Sequence, residues 1–575
     1  MDVMELLRGR HLRRQDEVVL TTVSGVASTK PALIKYFDQQ VEAIGIITTK
    51  SFQVEVNPGN REPIICETSV GDFGNSVGLR NPGLVQSLAE LEALREEHSF
   101  RALLNVSLSA NSIEDFITLV KAFDEVADLV ELNFSCPHAS AGYGSSIGCD
   151  LAIASEYVRA IKEATRGCKA PLFVKLTPNT ENLGAIAKAV VDSGADGLVA
   201  INTIGPIQHV DPASNRPILQ NKLDGKGGCS GRWVHDAALR CIDEIRLAVG
   251  PSVPIIGMGG VTTGKEAEQM IIRGSDAVGL GSAFGMVDQR SWPEYASSVQ
   301  AEAQAYLQGQ APALQRPSAS FLIAERQMAY REHTVLSVER YGKDTAIIAL
   351  DGRLDCKAGE FAFLWLPGLG EKPFSVGHND PLTFIVKDRG PLSSALCKLK
   401  EGDTLYVRGL YGAPLENTRT AKALLVAGGT GVAVLPSLAE KLQAQKTEMT
   451  ILVGTSESVS GKALLEERLS PYGSFVCVAD NGKPGRVLDL LENLSLDPDQ
   501  GCYLVGPEKF MAIAAAALLA KGIREENLYL SMEKMTLCGI GMCGECACGD
   551  RLTCRWGTFM TYGYLAQHAP DLVGL

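Results

Sequence analysis

Eight short apolar runs alternate with helix-like segments in the first half of this 575-residue chain. Intervening segments such as LVQSLAELEALREEH and SEYVRAIKEATRG place apolar residues three and four positions apart, as amphipathic helices do. Eight strands that each lead into a helix predict an α/β fold, a (β/α)8 TIM barrel, and their number disfavours a doubly wound sheet. The runs cover residues 18–25, 43–49, 101–108, 129–136, 171–178, 196–203, 253–260 and 276–282.

A barrel of this kind places its functional residues at the carboxyl ends of the strands, where the following loops build the site. Polar side chains stand at these ends: Lys50, Asn133, Cys136, Lys175, Asn202 and Thr203. A thiol near cationic groups can become acidic enough to act as a base, although a lone cysteine in a strand is more often inert core. The two lysines follow apolar strands, where a solvated surface charge is less expected.

The last two runs end in the pairs Gly259-Gly260 and Gly281-Ser282. Loops after the last two strands of such barrels commonly bind phosphate through backbone N–H groups. These pairs therefore predict a phosphate cradle, with tight strand-to-helix turns as the alternative.

The pattern changes twice in the second half. From about residue 330, short alternating segments such as EFAFLWLPG and PLTFIVKDRG predict a small antiparallel barrel. From about residue 420, the segments KALLVAGGTGVAVLPSLAEKL and GCYLVGPEKFMAIAAAALLAKG predict a nucleotide-binding α/β unit. The turn at Gly428-Gly429-Thr430-Gly431 lacks the full G-x-G-x-x-G spacing, so a plain turn is its alternative.

Five of the fifteen cysteines lie close together near the C-terminus, and four of them read C-x4-C-x2-C-x7-C. This spacing is near that of plant-type 2Fe–2S proteins, and the intervening glycines let the loop turn closely around a cluster. A structural zinc site is the alternative, but it would favour two C-x2-C pairs. The four are Cys538, Cys543, Cys546 and Cys554, and Cys548 is left over.

Charge and hydropathy limit the partners. A net charge of −13 argues against nucleic acid and acidic membrane surfaces. The apolar run 511–520 is too short to span a bilayer, and the first residues lack the apolar core of a signal peptide. A soluble protein of the reducing cytoplasm is therefore expected.

The first half resembles the class 1 dihydroorotate dehydrogenases through NSVGLRNPG, ELNFSCP, VKLTPN, INT and IIGMGGV. The second half resembles the electron-transfer subunit of the class 1B enzymes, a ferredoxin reductase-like protein with FAD and a 2Fe–2S cluster, through KPFSV, VAGGTGVA and the cysteine loop. The chain thus looks like a fusion of two polypeptides. The expected domains are an FMN-binding barrel with the substrate site at 1–305, a linker at 306–328, an FAD-binding antiparallel β-barrel at 329–418, an NAD-binding α/β domain at 419–525 and a 2Fe–2S domain at 526–575.

For the barrel, the resemblance implies that Cys136 removes the C5 proton of dihydroorotate while the hydride of C6 is exchanged with FMN. It places Lys175 near flavin N1 and O2, and Lys50 against both flavin and substrate carboxylate. The implied substrate residues are Lys50, Asn75, Gly78, Leu79, Asn133, His138, Asn202 and Thr203. The implied FMN residues are Ser24, Gly25, Lys50, Asn105, Lys175, Gly231, Gly259, Gly260, Gly281 and Ser282.

For the second half, the resemblance implies three further sites. The implied FAD residues are Lys372, Pro373, Phe374 and Ser375. The implied NAD residues are Gly428, Gly429, Thr430, Gly431, Gly506 and Pro507. The implied cluster ligands are Cys538, Cys543, Cys546 and Cys554.

The function that the resemblance implies is an NAD-linked dihydroorotate dehydrogenase of pyrimidine biosynthesis, in which electrons pass between NAD(H) and FMN through FAD and the 2Fe–2S cluster. A homodimer through the barrel is expected. Three residues depart from the family pattern: His138 replaces an asparagine, Lys372 an arginine and Val505 a cysteine. The alternatives are the same relay acting on another small heterocycle or conjugated carbonyl, and a non-catalytic electron-relay protein.

Overall fold

The computed structural model describes residues 17–134, 145–416, 418, 420–455, 464–479 and 486–574. These residues form two compact units. The first comprises the described part of 1–327 together with Ile540–Glu545, and the second comprises the described remainder of the chain. The first unit is therefore discontinuous in sequence. The four-domain division and the linker predicted from sequence remain predictions.

The first unit contains fourteen described strands and nine described α-helices. The strands are β1 (Leu20–Thr22), β2 (Ile44–Thr48), β3 (Ile65–Ser69), β4 (Asp72–Asn75), β5 (Leu103–Leu108), β6 (Leu129–Asn133), β7 (Leu172–Lys175), β8 (Gly197–Ala200), β9 (Ile204–Gln208), β10 (Val210–Asp211), β11 (Arg216–Pro217), β12 (Lys226–Gly231), β13 (Ile255–Met258) and β14 (Ala277–Leu280). The helices are α1 (Pro31–Gln40), α2 (Leu84–Glu97), α3 (Ile113–Phe123), α4 (Ser145–Cys149), α5 (Leu151–Ala164), α6 (Leu183–Asp192), α7 (His235–Val249), α8 (Gly264–Ile272) and α9 (Trp292–Leu307).

Eight parallel strands close into a barrel in the order β1-β2-β5-β6-β7-β8-β13-β14. Each predicted apolar run supplies one of them, so the (β/α)8 prediction is confirmed. The strands are buried throughout, apart from one partly exposed position, Gly45, which explains why they read as near-continuous apolar runs rather than as alternating ones. Most strands end before the predicted run does, and the remaining residues of each run leave the barrel as loops.

Two local features fix helix starts around the barrel. The hydroxyl of Ser112 accepts a hydrogen bond from the N–H of Asp115 at the start of α3. Thr263 and Glu266 form a capping box at the start of α8. Both satisfy N–H groups that the first turn of a helix leaves without a partner.

A second sheet in the first unit was not predicted. It is antiparallel, has the order β3-β4-β12-β9, and carries Asn75, a predicted substrate residue, at the end of β4. Its strands are short and rich in glycine and polar residues, as in KGGCSG, so they lack the apolar signal of the barrel strands.

The second unit contains fifteen described strands and seven described α-helices. The strands are β15 (Tyr330–Tyr341), β16 (Thr345–Leu350), β17 (Phe361–Leu366), β18 (Gly370–Phe374), β19 (Val376–Asn379), β20 (Leu382–Lys387), β21 (Thr404–Tyr411), β22 (Lys422–Gly428), β23 (Glu448–Thr455), β24 (Ser474–Ala479), β25 (Gly501–Val505), β26 (Leu528–Ser531), β27 (Ala547–Cys548), β28 (Arg551–Leu552) and β29 (Phe559–Thr561). The helices are α10 (Pro391–Leu396), α11 (Leu435–Ala444), α12 (Glu466–Leu469), α13 (Arg486–Glu492), α14 (Glu508–Ala520), α15 (Thr553–Trp556) and α16 (Tyr562–His568).

Two larger sheets organise the second unit, as the sequence pattern predicts. The first is antiparallel and has the order β18-β17-β21-β15-β16-β20-β19. The second has the order β24-β23-β22-β25-β26-β29, and its strands are parallel except for the antiparallel edge strand β29. Apolar residues of α11 and α14 belong to the cores that cover this sheet. Among the described helices, none is both long and apolar enough to cross a membrane.

Candidate active site

A network of buried polar groups occupies the carboxyl ends of the barrel strands. At its centre is Ser51, which follows the end of β2. Its Oγ lies 3.0 Å from Ser24 Oγ and 2.9 Å from Ser107 Oγ, and it accepts a hydrogen bond of 2.8 Å from Nδ2 of Asn133. The network therefore joins the ends of four barrel strands, and it includes two predicted site residues, Ser24 and Asn133.

Lys175, the last residue of β7, has a buried counter-ion. Its Nζ lies 3.6 Å from Oε1 of Glu131, and the Lys175 and Glu131 residues are 4% and 0% exposed. Ser107 donates a 2.8 Å hydrogen bond to the same carboxylate oxygen. The second carboxylate oxygen, Oε2, has no hydrogen-bond partner among the described residues. The ion pair of Lys175 and Glu131 thus holds an ammonium group in place, and Oε2 of Glu131 remains able to accept a hydrogen bond.

Asn105 in β5 presents a second open acceptor. It is 1% exposed, and its Nδ2 donates to Thr48 Oγ1 at 3.2 Å, but its Oδ1 has no partner within the described part of the chain. A buried acceptor without a partner costs about 1–3 kcal/mol. The open acceptors of Asn105 and Glu131, inside adjacent barrel strands, can accept hydrogen bonds from a ligand.

Lys50 is almost buried and forms an ion pair that the sequence did not suggest. Its Nζ lies 2.7 Å from Oε1 of Glu545, and Lys30 Nζ lies 3.2 Å from Oε2 of the same carboxylate. Burial lowers the pKa of Lys50, against the opposing effect of Glu545. Burial also opposes ionisation of Glu545, but Lys50 and Lys30 outweigh it and hold the pKa of Glu545 below its ordinary value.

Backbone contacts seat the segment Ile540–Glu545 in the first unit. Ala27 N–H donates to the carbonyl of Met542 at 2.8 Å, and Thr29 Oγ1 donates to the carbonyl of Cys543 at 2.9 Å. Gly544 has a φ of +70°, and a Cβ added there would lie 2.1 Å from Thr29 Oγ1. Only glycine allows this approach.

Gly231, an implied FMN residue, and the two glycines of the predicted phosphate cradle that follow β13 pack closely against the protein itself. An added Cβ at Gly231 would lie 2.1 Å from the carbonyl oxygen of Gly71. At Gly259 it would lie 2.7 Å from Ala238 Cβ, and at Gly260 2.8 Å from the carbonyl oxygen of Gly231. Packing therefore accounts for glycine at these positions, and the phosphate role remains a prediction.

At two other glycines among the predicted FMN residues, an added Cβ would lie less close to other atoms, or close to none. Gly25 has a φ of +81°, and no atom lies within 4 Å of an added Cβ. At Gly281 the nearest atom to an added Cβ is Val23 Cγ2 at 2.9 Å. Ser282 begins a 3-10 turn that ends at Gly285. All three lie on loops that follow β1 and β14, which are neighbours in the barrel.

The predicted substrate loop carries unusual backbone conformations. Gly78 has a φ of +75°, and Leu79 has a φ of +57°, a region that a branched residue rarely adopts. Asn75 Nδ2 donates to the carbonyl of Gly228 at 3.3 Å. Backbone outliers of this kind concentrate at ligand-binding sites, which supports the prediction for this loop.

The remaining substrate residues are only partly described. Asn202 and Thr203 follow β8 and are both partly exposed, and Thr203 N–H donates to Asn202 Oδ1 at 2.7 Å. Cys136 and His138 lie outside the described residues. Cys136 follows Asn133, the last residue of β6, by three positions.

In the second unit, the two predicted NAD segments meet. An added Cβ at Gly431 would lie 3.1 Å from the backbone nitrogen of Gly506, and one at Gly506 would lie 3.3 Å from Gly428 Cα. The segments follow β22 and β25, which are adjacent parallel strands. Gly429 and Thr430 line a cleft together with Tyr341, Asp344, Thr345, Lys387, Thr455 and Leu464. Pro507 directly precedes α14.

The predicted FAD residues lie along β18 and just after it. Lys372 is exposed, whereas Pro373, Phe374 and Ser375 are partly buried. The structure thus places them on the antiparallel sheet as expected, and their contact with FAD remains a prediction.

The four predicted cluster cysteines are all buried. Cys538, Cys546 and Cys554 belong to the second unit, and Cys543 belongs to the segment Ile540–Glu545 of the first. Cys546 Sγ lies 3.3 Å from Cys554 Sγ, and contacts with the thiols of Cys538 and Cys546 raise the pKa of Cys554 well above its ordinary value. The thiols of Cys538, Cys546 and Cys554, which lie together within the second unit, fit iron–sulfur ligation chemically. Within the described residues, however, no three His, Cys, Asp or Glu side chains form a group that could hold a metal ion.

Cys548 has different surroundings. It is buried in an apolar core with residues such as Leu530 and Met560. Burial raises the pKa of its thiol to about 11. The omission of Cys548 from the ligand set remains a prediction.

A fully buried ion pair lies beside Cys538. Arg408 donates to both carboxylate oxygens of Glu371, at 2.8 and 2.6 Å, and both side chains have no exposed surface. The guanidinium also donates to the hydroxyl of Tyr411 at 2.6 Å and to the carbonyl of Cys538 at 3.0 Å. Tyr330 donates to Glu371 at 2.6 Å. Sequence reasoning missed this network because its residues are far apart in the chain.

Comparison with known proteins decides the family. The profile of the family described as dihydroorotate dehydrogenase matches residues 17–301. The catalytic subunit of dihydroorotate dehydrogenase B (NAD(+)) from Methanocaldococcus jannaschii is 39% identical over 239 residues, 41% of this chain and 74% of that protein. The subunit of the same name from Pyrococcus abyssi is 38% identical over 264 residues, 46% of this chain and 83% of that protein. The chain belongs to the dihydroorotate dehydrogenase family.

As a member of this family, the chain is a flavoprotein oxidoreductase with FMN as its flavin. The open acceptors of Asn105 and Glu131 and the buried cation of Lys175 fit a ligand of this polarity. A solved chain of an NADH-dependent reduced ferredoxin-NADP oxidoreductase is 22% identical, with a TM-score of 0.36, and covers 42% of this chain and 93% of its own. A likeness of this size carries no argument about the second half.

Replacing Gly260 with alanine tests the tight turn after β13. We expect loss of FMN during gel filtration and a lower unfolding temperature, because the new Cβ would lie 2.8 Å from the Gly231 carbonyl oxygen and from His235 Cβ. Gly250→Ala is the matched control, since Gly250 has a similar φ of +77° with nothing within 4 Å of an added Cβ. The left-handed conformation alone costs about 1–2 kcal/mol. Equal effects of the two substitutions would contradict a steric requirement at Gly260.

Proposed function

We propose that this chain is an NAD-linked dihydroorotate dehydrogenase that interconverts dihydroorotate and orotate with FMN in the barrel. The observation that carries the proposal is the buried polar network at the carboxyl ends of the barrel strands, with its open acceptors on Asn105 and Glu131. Dihydroorotate and orotate are planar or near-planar amides with one carboxylate, so they need amide partners and a cation.

The described residues would supply both. Asn133 and Asn202 offer carboxamides, each with donors and an acceptor, at the carboxyl ends of β6 and β8, which flank β7 in the barrel. Lys50 offers an ammonium group for the substrate carboxylate, and Asn75 lies on the predicted substrate loop. FMN, when bound, would supply hydride exchange with the substrate, and the buried Lys175 cation would favour an anionic reduced flavin.

Proton removal is assigned to Cys136. A general base within reach of the C5 proton accelerates such a step by about 10²–10⁴-fold. The position of Cys136 in the segment ELNFSCP, three residues after the buried Asn133, supports this assignment. His138, two residues later, stands where the family pattern has an asparagine. A histidine at this position would change which substrates the enzyme accepts.

For the second unit we propose FAD at Lys372 to Ser375, NAD(H) at the turns of Gly428 to Gly431 and Gly506-Pro507, and a 2Fe–2S cluster at Cys538, Cys543, Cys546 and Cys554. The adjacency of the two glycine turns supports the nucleotide site. The buried, convergent thiols support the cluster, which would supply single-electron transfer. We also propose a homodimer through the barrel and a cytoplasmic location.

The test is an anaerobic reoxidation experiment with the purified holoenzyme. We expect NADH to bleach the flavin absorbance and orotate to restore it, because orotate is the oxidised partner. Uracil and a simple enone serve as comparison acceptors. If orotate leaves the reduced flavins unchanged and another acceptor reoxidises them, the proposed substrate is wrong and the altered-substrate alternative replaces it. If NADH does not reduce the flavins, the NAD linkage is wrong.

A further inference from the structure

Glu545 is an acidic residue between two predicted cluster ligands, and sequence reasoning gave it no role. In the structure its carboxylate lies between two ammonium groups, Lys50 at 2.7 Å and Lys30 at 3.2 Å. The side chains of Lys50 and Glu545 are each 9% exposed, whereas that of Lys30 is 43% exposed. The pair of Lys50 and Glu545 is thus a nearly buried ion pair, which is far more costly to break than one on the surface.

Lys50 is also part of the candidate active site by its surroundings. Its neighbour Thr49 accepts a hydrogen bond from the N–H of Ser107 at 3.1 Å, and its other neighbour is the central serine of the polar network. Ser107 in turn donates to Glu131. The ammonium group that Glu545 binds therefore belongs to the residue between Thr49 and Ser51, just after β2, beside the buried polar network.

An anionic ligand at this strand end and Glu545 need the same cation. Lys50 is largely desolvated, so a negative partner stabilises its charged form, and either anion can serve. Two anions on one buried ammonium group repel each other, so the gain from binding the ligand is reduced by the weakening of the Glu545 contact.

We propose that Glu545 is a positioning residue that competes with the substrate carboxylate for Lys50, so that ligand binding in the barrel is linked to the seating of the segment Ile540–Glu545. The identity of the ligand rests on the proposed function. Linkage of this kind is reciprocal: a ligand that draws Lys50 away weakens the hold on the segment, and a firmly held segment weakens ligand binding. Cys543 belongs to the same segment. Ligand binding in the barrel would therefore also change how firmly this predicted cluster ligand is held.

The test compares Glu545→Gln with the wild-type holoenzyme by titration of oxidised FMN absorbance with orotate. We expect the Kd for orotate to fall about tenfold or more in Glu545→Gln, which corresponds to 1.4 kcal/mol, because the buried ammonium group then lacks its anionic partner. Glu545→Asp retains the charge and should restore most of the wild-type Kd. Lys30→Gln should raise the Kd, since it leaves the whole carboxylate to Lys50.

Glu97→Gln is the matched control, because Glu97 forms an exposed pair with Lys35 in the same unit, at 3.4 Å. It should leave the Kd unchanged. An unchanged or higher Kd in Glu545→Gln would overturn the proposal.

A second readout separates this inference from the proposed substrate. The midpoint potential of FMN should shift to more positive values in Glu545→Gln and not in Glu97→Gln, because a negative charge is removed beside Lys50. If the wild-type enzyme does not bind orotate, the proposed substrate is wrong, and the midpoint potential of FMN becomes the test of Glu545. A positive shift of this potential in Glu545→Gln then supports the role of Glu545, and an unchanged potential overturns it.

Discussion

We expect Cys136→Ser to lower the rate of dihydroorotate oxidation by about 10²–10⁴-fold, the usual contribution of a positioned general base. The serine hydroxyl is far less acidic than a thiol, so almost none of it is deprotonated at neutral pH and able to accept the C5 proton. The reduction of an artificial dye by NADH keeps its wild-type rate, because that reaction needs no proton removal from the pyrimidine. Stopped-flow reduction of FMN by dihydroorotate measures the first rate, and a steady-state dye assay measures the second.

Cys241→Ser is the control for this experiment. Cys241 is a partly exposed thiol on α7, and its replacement should leave both rates unchanged. FMN content, measured from the absorbance spectrum, must be equal in both variants. A Cys136→Ser enzyme that oxidises dihydroorotate at nearly the wild-type rate would show that another group is the base.

Arg408→Met destabilises the second unit by about 3–5 kcal/mol, because it leaves a buried carboxylate without its cation. Glu371 would keep only the hydroxyl of Tyr330, and the carbonyl of Cys538 would lose its guanidinium donor. Hydrogen exchange of the backbone amides in β17 and β21 is the suitable measurement, since these strands carry or flank the pair. We expect their exchange to accelerate by about two orders of magnitude or more, given that each 1.4 kcal/mol is tenfold.

Two comparisons isolate the buried charge as the cause. Lys357→Met removes one partner of an exposed pair with Asp355, and such pairs contribute about 0–1 kcal/mol. The double variant Arg408→Met with Glu371→Leu removes both charges and should recover much of the stability, because well-packed apolar residues can replace a buried pair. If the double variant is as unstable as Arg408→Met, the loss comes from packing rather than from the unpaired carboxylate.

The barrel was predictable from sequence because each of its strands is buried on both faces. Burial on both faces requires continuous apolar runs, and eight such runs between helical segments leave few other folds. The antiparallel sheet that carries Asn75 gave no such signal. Its strands, such as DFGN and KGGCSG, are held by backbone hydrogen bonds and by the close packing that glycine allows, rather than by apolar side chains.

The candidate site was predictable only where a residue stands at the end of a recognisable strand. Lys50, Asn133 and Lys175 meet this condition, and the structure places all three in or beside the buried network. Ser107 and Glu131 could have been found as polar residues inside apolar runs, because a buried polar group needs a reason. Glu545 could not, since it is 495 positions from Lys50 and its partner depends on how the whole unit closes.

The discontinuity of the first unit has a consequence for how the chain can be divided. A polypeptide that ended at Gln327 would lack six residues of its own unit, Ile540–Glu545. The Ala27 N–H and the Thr29 hydroxyl would then lose their acceptors, and Lys50 would lose its carboxylate. A cut after Gln327 would therefore keep all eight barrel strands but would remove these six residues, with the carbonyl acceptors and the carboxylate that they supply to the first unit.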